Sequence, residues 1–515
     1  QIIESRRGTS SHQYNPMMIL AGRETTEDTG SCYAMSFVYS GSFKGEVEKD
    51  QYNQTRMLLG LSDELFSYPL SEGEVFHVPE VVFTYSGCGL AKLSQNLHVC
   101  FRTHLCRGKY QTSVRPILLN SWEAAYFDFD GDSIYRLAKE AAELGVEMLV
   151  LDDGWFGKRY DDNRGLGDWY VNEKKLGEPL SSLIQKINDL GLKFGIWFEP
   201  ESVNEDSDLF REHPDWALAI PGRRPVRGRN QLVLDFSRKE VVDYLFKEIC
   251  KVLDQGNIEY VKFDMNRSLS DCYSHDTNDQ GKVYYDYMIG LYDFLERLVQ
   301  RYPNLLLEGC SGGGGRFDAG MLYYSPQIWC SDNTDALDRI SIQYGTSFGY
   351  PVSAVGSHVS AVPNHQTGRI TPFYTRGVIA MAGTFGYELD PKQLSEEEKL
   401  ELKEQISEYK RYAPLIQNGL YYRLTNPFEE EVGAWAFVSE DGKEALLNAV
   451  VLKVHGNMIV NYVRLKGLTR HCMYREEKSG MLYASDALME AGIPLPVQMG
   501  DYQAYQMHFV RADQD

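Results

Sequence analysis

The period of the hydrophobic positions changes twice along the chain and divides it into three regions. Up to about residue 113, short apolar or aromatic runs alternate with Gly, Ser and Asp, which predicts an antiparallel β-sheet unit. The predicted strands of this region are Ala34–Tyr39, Arg56–Leu61, Glu80–Tyr85 and Leu97–Phe101. From about residue 428 the pattern returns and predicts a second β-sandwich. Its predicted strands are Gly433–Val438, Ala445–Val451, Met458–Leu465 and Tyr502–Phe509.

In the middle region, short apolar strands alternate with amphipathic helices. The predicted strands are Arg115–Asn120, Glu147–Leu151, Leu192–Trp197, Ile258–Phe263, Leu305–Glu308, Gln327–Cys330, Val352–Val355 and Thr384–Tyr387. The predicted helices are Gly131–Leu144, Leu180–Leu190, Arg238–Gln255, Asp286–Arg301, Phe317–Tyr324, Ile340–Ser347, Pro372–Met381 and Ser395–Tyr412. Eight such units in about 300 residues predict a (β/α)8 barrel rather than the alternative, a doubly wound open sheet. We therefore expect an N-terminal β-domain at 1–113, a barrel at 114–420 and a C-terminal β-sandwich at 421–515.

Charge and cysteine content narrow the choice of partners and compartment. The chain has 52 Lys and Arg against 73 Asp and Glu, a net charge of −21. Binding to nucleic acid or to anionic membranes depends on clustered cations, so we expect neither partner. No apolar run approaches the ~18 residues that span a bilayer, and we find no signal peptide in the first 30 residues. The nine cysteines form no CxxC pair, which favours reduced thiols and a cytoplasmic location.

The sequence offers no familiar cofactor motif. It contains no HExxH, EF-hand loop or Cys/His cluster, so we predict no metal and no cofactor. The glycine run 312–315 resembles a phosphate-binding loop, but Arg316 and Phe317 follow it in place of Lys and Ser or Thr. Gly309–Gly313 formally matches the Gly-x-Ser-x-Gly nucleophile elbow, which belongs to an open sheet. We interpret the glycines as positions where the backbone closely approaches a ligand.

Acidic and tryptophan side chains follow most of the predicted barrel strands. In a (β/α)8 barrel, these carboxyl ends form the active-site face. These acidic residues and tryptophans are Trp122, Asp152, Asp153, Trp155, Trp197, Glu199, Glu201, Asp264, Glu308, Asp332 and Asp335. Any single acidic residue there could be only the N-cap of the next helix. A whole ring of carboxylates and tryptophans instead predicts a sugar site, in which carboxylates accept hydrogen bonds from hydroxyl groups and an aromatic face packs on the pyranose.

Two of these carboxylates, Asp264 and Asp332, form the predicted catalytic pair of a glycoside hydrolase. One carboxyl group must be ionised to attack the sugar, and the other must be protonated to assist the leaving oxygen. Lys262 should point to the same side as Asp264 because strand side chains alternate. We expect Lys262 to hold Asp264 ionised and to bind a substrate hydroxyl, with a purely structural ion pair as the alternative. The nearby Asp335 should favour the protonated form of Asp332.

Six motifs together resemble the α-galactosidases of glycoside hydrolase family 36, over essentially the whole chain. The motifs are LDDGWFGKR (151–159), KFGIWFEPE (193–201), RGRNQLVLDFSR (227–238), YVKFDMNR (260–267), EGCSGGGGRFDAGM (308–321) and WCSDNTDA (329–336). The resemblance implies a retaining enzyme on a barrel between an N-terminal β-supersandwich and a C-terminal β-sandwich. It implies Asp264 as nucleophile and Asp332 as acid/base. It also implies a homotetramer in which a neighbour's N-terminal domain helps to close the site.

The resemblance also implies a set of substrate-binding residues for an α-galactoside. Those matching the family's galactose subsite are Asp152, Asp153, Trp197, Arg229, Lys262, Cys310 and Gly313, and Trp122 matches the aromatic residue of the neighbouring subsite. Phe263 and Ser202 stand where the family commonly has Trp and Met. The N-terminal domain is shorter than the family's, as if incomplete. With no kinase segment after residue 515, we expect no sucrose phosphorylation.

Three functions remain to be compared. The first is an α-galactosidase that acts on raffinose-type oligosaccharides or related galactosides such as melibiose. The second is an α-galactosaminidase or an α-galactosyl transferase on the same fold. Cys310-Ser311-Gly312 argues against the former, because family members that accept N-acetyl groups carry a different motif there. The third is a sugar-binding protein without activity, against which the presence of both predicted carboxylates counts.

Overall fold

A computed structural model describes residues 1–457 and 459–512 and begins with two small antiparallel sheets. The strands are β1 (Ile2–Ser5), β2 (Met17–Ala21), β3 (Cys32–Phe37), β4 (Phe43–Lys49), β5 (Thr55–Leu61) and β6 (Val81–Ser86). One sheet has the order β1-β4-β5 and the other β2-β3-β6. Cys32, Ala34 and Ser36 of β3 are buried, whereas Tyr33 between them is exposed. This alternation is what the period of two along the sequence predicts.

The predicted strand Leu97–Phe101 is wrong, because this segment is helical. Helix α1 (Gly89–Cys100) runs into a π-helical turn at Phe101–Leu105. Leu93, Leu97 and Phe101 recur every four residues and are all fully buried. The five apolar and aromatic residues looked strand-like only because the window was too short to show this helical period.

The middle of the chain is a closed barrel of eight parallel strands. The strands are β7 (Leu118–Asn120), β8 (Met148–Leu151), β9 (Lys193–Phe198), β12 (Ile258–Phe263), β13 (Leu306–Gly309), β14 (Gln327–Trp329), β15 (Val355–Ser360) and β16 (Thr384–Glu388). A two-stranded ribbon, β10 (Ser202–Val203) with β11 (Leu232–Val233), extends from the loop after β9. The barrel is closed by the pairing of β16 with β7. The predicted fold class, a (β/α)8 barrel flanked by antiparallel sheets, is confirmed.

Helices connect the barrel strands, and the longer ones cover the barrel from outside. Two of the short ones lie at the carboxyl end of the barrel, and the one at 311–314 is a turn with non-helical dihedral angles at Gly312 and Gly313. The helices are α2 (Trp122–Ala125), α3 (Gly131–Leu144), α4 (Glu173–Leu176), α5 (Leu180–Asp189), α6 (Asp208–Glu212), α7 (Lys239–Leu253), α8 (Val283–Arg301), α9 (Ser311–Gly314), α10 (Ala319–Leu322), α11 (Ala336–Thr346), α12 (Phe373–Ala380) and α13 (Glu396–Asn418). Helix α3 begins at a capping box formed by Asp130 and Ser133, and ends at Gly145 in the left-handed conformation. These local signals are why its predicted bounds and its observed bounds agree.

The seventh barrel strand lies further along the chain than predicted. Val352–Ala354 forms a 3-10 turn, and β15 begins only at Val355. The polar residues Ser357 and His358 made this segment look like a loop, yet all six residues of β15 are buried. Ser357 donates to Gln343 Oε1 over 3.2 Å, and His358 Nδ1 lies 3.1 Å from Glu388 Oε2. Ser357 finds its partner on helix α11, and Nδ1 of His358 finds one on the neighbouring strand β16, whereas His358 Nε2 has no partner among the described contacts. Polar side chains can be buried in a strand where they find such partners.

The C-terminal region forms a six-stranded antiparallel sheet and a separate two-stranded one. Its elements are β17 (Leu420–Arg423), β18 (Val432–Val438), β19 (Glu444–Val451), β20 (Tyr462–Val463), β21 (Met473–Glu476), β22 (Leu482–Ala484), α14 (Ser485–Glu490), β23 (Ile493–Pro494) and β24 (Gln503–Ala512). The predicted strand Met458–Leu465 is reduced to β20, and Met458 itself is outside the described residues. No helix in the described ranges has the length and hydropathy needed to cross a bilayer.

Candidate active site

A polar cavity of about 210 Å³ opens at the carboxyl ends of the barrel strands. Its lining consists of Trp122, Glu123, Asp152, Asp153, Trp197, Arg229, Lys262, Asp264, Asn266, Trp329, Asp332, Thr334, His365, Gln366 and Glu388. Eight of the ten residues predicted from the sequence are therefore brought together here. The two others, Cys310 and Gly313, lie just behind the two aspartates.

Asp264 follows β12 and is held by four hydrogen-bond donors. Its Oδ1 accepts from the backbone N–H groups of Gly312 at 3.0 Å and Met265 at 2.8 Å. Its Oδ2 accepts from Asn266 Nδ2 at 2.8 Å and Trp197 Nε1 at 3.3 Å. Burial raises the pKa of Asp264, but the charge of Lys262 and these hydrogen bonds outweigh it and hold the pKa below its ordinary value. Asp264 is a preorganised carboxylate.

The donor from Gly312 depends on an unusual backbone turn. Ser311, Gly312, Gly313 and Gly314 all have positive φ, at 65°, 59°, 73° and 86°. Glycine adopts such angles without strain, which explains Gly312, Gly313 and Gly314, whereas Ser311 adopts them as a non-glycine residue. Close packing adds a second reason, since a Cβ on Gly313 would lie 2.0 Å from the backbone nitrogen of Asp332. The turn directs the backbone N–H of Gly312 to Asp264 and packs the backbone of Gly313 against that of Asp332.

Asp332 follows β14 and lies in a different electrostatic environment. Trp329 Nε1 donates to its Oδ1 over 3.1 Å. Burial and the negative charge of Asp264 raise the pKa of Asp332 above its ordinary value, against the opposing charge of Lys262. The predicted cause, a like charge from Asp335, is not the one found. Asp335 instead caps α11 and forms an ion pair with Arg369.

Lys262 is paired differently from our expectation. Its ammonium donates to Asp152 Oδ2 over 3.0 Å rather than to Asp264. Asp152 is 3% exposed and Lys262 7%, and Asp152 also accepts from Asn120 Nδ2 at 2.7 Å. Lys262 is nevertheless close enough for its charge to lower the pKa of Asp264. Lys262 therefore acts on both carboxylates: it forms an ion pair with Asp152, and its charge lowers the pKa of Asp264.

Asp153 and Trp197 are held by buried partners. Arg159 binds Asp153 in a bidentate arrangement, with Nε 3.0 Å from Oδ1 and Nη2 2.8 Å from Oδ2. Trp197 stacks on Phe156 with ring centroids 6.2 Å apart, and its carbonyl accepts from Trp155 Nε1 at 3.0 Å. These contacts fix the orientation of both side chains before any ligand arrives.

Trp122 and Arg229 stand at the rim, and Cys310 is buried. Trp122 is half-buried and meets Tyr126 and Phe127 edge to face. The Arg229 side chain is 45% exposed. Cys310 is 2% exposed, and burial together with the charge of Asp264 raises the pKa of its thiol well above the ordinary value. Cys310 is therefore a neutral thiol beside the nucleophile candidate.

Four polar residues of this region were not among the predicted site residues, although Glu199 belongs to the predicted ring of carboxylates. Glu123, Asn266 and Glu388 line the cavity, and Glu199 lies behind Asn266. Burial and the charge of Glu388 raise the pKa of Glu123 to about 8. Burial and the charge of Asp264 do the same for Glu199, against the hydrogen bonds from Asn266. Glu199, Asn266 and Glu388 end strands or follow them directly, and that position was the available signal.

Within residues 1–457 and 459–512, no group of three or more His, Cys, Asp or Glu side chains is arranged so that it could bind a metal ion. The nine cysteines are all free thiols.

Comparison with family models identifies the chain over nearly its full length. The Melibiase model matches residues 75–419, and the models of the glycosyl hydrolase family 36 N-terminal and C-terminal domains match residues 1–71 and 432–509. The chain belongs to glycosyl hydrolase family 36. The resemblance inferred from the six motifs is confirmed.

Curated members of family 36 are similar along the chain. It is 64% identical over 505 residues to the bifunctional alpha-galactosidase/sucrose kinase AgaSK of Mediterraneibacter gnavus, covering 98% of this chain and 53% of that protein. It is 50% identical over 504 residues to the alpha-galactosidase AgaA of Geobacillus stearothermophilus, covering 98% of this chain and 69% of that protein. The chain thus spans about half the length of the first relative and about two thirds of the second.

Solved structures of family 36 have the same fold. The galactosidase domain of AgaSK superposes with a TM-score of 0.97 at 63% identity, covering 99% of this chain and 70% of that one. A variant of AgaA in complex with raffinose superposes with a TM-score of 0.98 at 48% identity, covering 99% and 71%. The barrel and both flanking domains of this chain are therefore in the arrangement of family 36.

Proposed function

We propose that this chain is a retaining α-galactosidase that hydrolyses terminal non-reducing α-D-galactosyl residues of raffinose-family oligosaccharides. The observation that carries the proposal is the pair Asp264 and Asp332, which line one cavity and have pKa values displaced in opposite directions. Two-step glycoside hydrolysis needs one ionised and one protonated carboxyl group. The names of the relatives and the raffinose complex support the choice of sugar.

In the first step, Asp264 attacks the anomeric carbon while Asp332 protonates the departing glycosidic oxygen. The four donors on Asp264 keep its oxygens in place for attack. In the second step Asp332, now ionised, removes a proton from water, and the water displaces Asp264 from the sugar. Two inversions at the anomeric carbon give net retention. The positive charge of Lys262 favours the ionised Asp264 at the start of each cycle.

The remaining residues bind galactose. Asp152, Asp153 and Lys262 offer hydrogen bonds to hydroxyl groups, and Trp197 presents an aromatic surface to the ring. Arg229 and Trp122 stand at the rim, where the rest of the oligosaccharide would leave the cavity. Cys310 and Gly313 lie behind the aspartates, on the side that we assign to the 2-hydroxyl group.

The test is hydrolysis of raffinose and of nitrophenyl α-galactoside, followed by proton NMR of the first-formed sugar. We expect α-galactose and nearly complete loss of turnover in Asp264→Ala on both substrates. β-Galactose as the first product would exclude the two-step mechanism, and full turnover in Asp264→Ala would exclude Asp264 as nucleophile. The 2-acetamido analogue, compared in the same assay, should be a poor substrate. Preference for that analogue would favour the α-galactosaminidase instead.

The cellular compartment and the oligomeric state of the enzyme are a further part of this proposal. We infer a cytoplasmic homotetramer. Nine free thiols support a reducing compartment. Tyr33, Phe83 and Tyr85, which contact one another on the β2-β3-β6 sheet and are 39–59% exposed, offer an apolar surface to another copy. Light scattering on the purified chain should give four times its 58.8 kDa mass, and a monomeric mass would overturn the inference.

A further inference from the structure

Glu199 is a buried carboxylate that does not face the substrate cavity directly. It follows β9, is 0% exposed and lies behind Asn266. Asn266 donates to it twice, from the backbone N–H to Oε1 at 2.6 Å and from Nδ2 to Oε2 at 2.9 Å. Ser202 Oγ adds a bond to Oε1 at 3.1 Å, and Gln231 Nε2 adds one to Oε2 at 3.4 Å. Glu199 therefore accepts hydrogen bonds from both the main chain and the side chain of Asn266.

The same amide group of Asn266 also reaches Asp264. Nδ2 lies 2.9 Å from Glu199 Oε2 and 2.8 Å from Asp264 Oδ2. An amide nitrogen carries two hydrogens, so one serves each carboxylate. Asp264 is the ionised partner and only accepts hydrogen bonds, so the opposite orientation of the amide would place its oxygen against an oxygen of Asp264. Glu199 and Asp264 together thus fix which way the amide of Asn266 points.

We propose that Glu199 is a positioning residue, which holds Asn266 so that its amide donates to the nucleophilic carboxylate of Asp264. This inference rests on the proposed function, because it assigns Glu199 a role in the chemistry of Asp264. Two contacts on Asn266 restrain the chain just after β12 and the rotation of the side chain. The burial of Glu199 means that it acts through Asn266 and not on the sugar.

No other described hydrogen-bond partner of Glu199 links it to Asp264 as Asn266 does. Ser202 and Gln231 bind Glu199 but make no hydrogen bond to Asp264 among the described contacts. Arg159, the nearby cation, forms its ion pair with Asp153. A buried carboxylate is costly unless its hydrogen bonds are satisfied, so the position is better suited to orienting a functional group than to adding stability.

The decisive variant is Glu199→Gln, which keeps the size of the side chain but turns one acceptor oxygen into a donor. Whichever way the new amide lies, an N–H group faces an N–H group of Asn266. Displacement of a reacting group by about 1 Å can reduce turnover about 100-fold. We expect a kcat loss of this order on nitrophenyl α-galactoside with KM nearly unchanged, since Glu199 does not touch the substrate. An unchanged kcat would overturn the proposal.

A double-mutant cycle separates positioning from a general structural role. If Glu199 acts through Asn266, then Asn266→Ala should lower kcat to a similar level, and the double variant should be no worse than Asn266→Ala alone. Independent, multiplying losses would overturn the proposal. Ser202→Ala is the matched control, since it removes one donor from Glu199 without touching Asn266, and its kcat should stay close to that of the unsubstituted chain.

A second variant covers the case in which Glu199→Gln does not fold, and Asp264→Ala distinguishes failure of this inference from failure of the proposed function. Should Glu199→Gln fail to fold by circular dichroism, Glu199→Asp keeps the carboxyl group but withdraws it by one methylene, and the same cycle with Asn266→Ala applies. An intermediate loss without further loss in the double variant supports the positioning role, and a normal kcat overturns it. If Asp264→Ala were active, the proposed function would fail. If Asp264→Ala is inactive and Glu199→Gln is fully active, only the role of Glu199 fails.

Discussion

Replacing Lys262 by Met tests the electrostatic centre of the site. The ammonium lies 3.0 Å from Asp152 Oδ2, and both side chains are buried. At that distance and an effective dielectric constant of about 20, the Coulomb attraction is about 5.5 kcal/mol, which the cost of desolvating both charges offsets in part. Removing only the cation leaves Asp152 as an unpaired buried carboxylate. We therefore expect Lys262→Met to destabilise the fold by about 3–5 kcal/mol.

The matched control removes both charges. In Lys262→Met/Asp152→Asn the carboxylate that directly contacts Lys262 is neutralised as well, and Asn120 can still hydrogen-bond the new amide. We expect the double variant to recover at least half of the lost stability, measured as the free energy of unfolding by urea at constant pH. Both variants should be catalytically impaired, because both remove groups that line the cavity. A double variant no more stable than Lys262→Met would refute the ion-pair reasoning.

The pH dependence of the remaining activity gives an independent readout. The charge of Lys262 lowers the pKa of Asp264, so its removal raises the pKa of the group that must be ionised. The acid limb of kcat/KM should therefore move to higher pH in Lys262→Met. An unmoved acid limb would mean that the charge of Lys262 does not act on the nucleophile.

Further expectations concern single groups. In the unsubstituted chain, kcat/KM should be bell-shaped, with an acid limb below the ordinary carboxyl range from Asp264 and an alkaline limb above it from Asp332. Azide should rescue Asp332→Ala with an α-linked galactosyl azide, and Asp264→Ala, if at all, with the β-anomer; the opposite pair of anomers in NMR would reverse the two roles. Cys310→Thr should lower turnover on galactosides, and unchanged kinetics would leave the thiol only a packing role. Burial lowers the pKa of His98 from 6.5 to about 3. Between these pH values only the unfolded chain binds the proton, so the free energy of unfolding decreases as the pH is lowered, by up to about 1.4 kcal/mol per pH unit. Urea titrations of His98→Gln should show a weaker decline, and an equal decline would contradict this.

The barrel could be predicted because each unit carries its own signals. Strands such as Ile258–Phe263 are short apolar runs, and helices such as α3 carry caps at both ends. These features are local, so they are visible without knowledge of the neighbours. β15 shows the limit, because its serines and histidine are buried against partners such as Gln343 and Glu388 that lie far along the chain. No local pattern distinguishes such a strand from a polar loop.

The members of the site were easier to predict than their pairings. Asp264 and Asp332 follow strands, and parallel strands bring their carboxyl ends to one face, so their presence in one cavity follows from topology alone. Which carboxylate Lys262 binds depends on distances across the barrel, and the partner is Asp152 on β8's loop rather than Asp264 on its own strand. Glu199 was not assigned a role for the same reason, since the contacts of Asn266 with Glu199 and with Asp264 are visible only in the structure.

The difference between the two aspartates originates in the cation and the hydrogen-bond donors around Asp264, one of which depends on an unusual backbone turn. Both are buried acids just after a strand, and burial alone raises the pKa of each. The left-handed turn at 311–314 breaks this equivalence, because it directs the N–H of Gly312 to Asp264 while its next residue packs against the main chain of Asp332. Asp264, with four donors and a cation nearby, is then the group that ionises first. Its negative charge in turn favours the proton on Asp332. One glycine turn thereby supports both protonation states that a two-step hydrolysis requires.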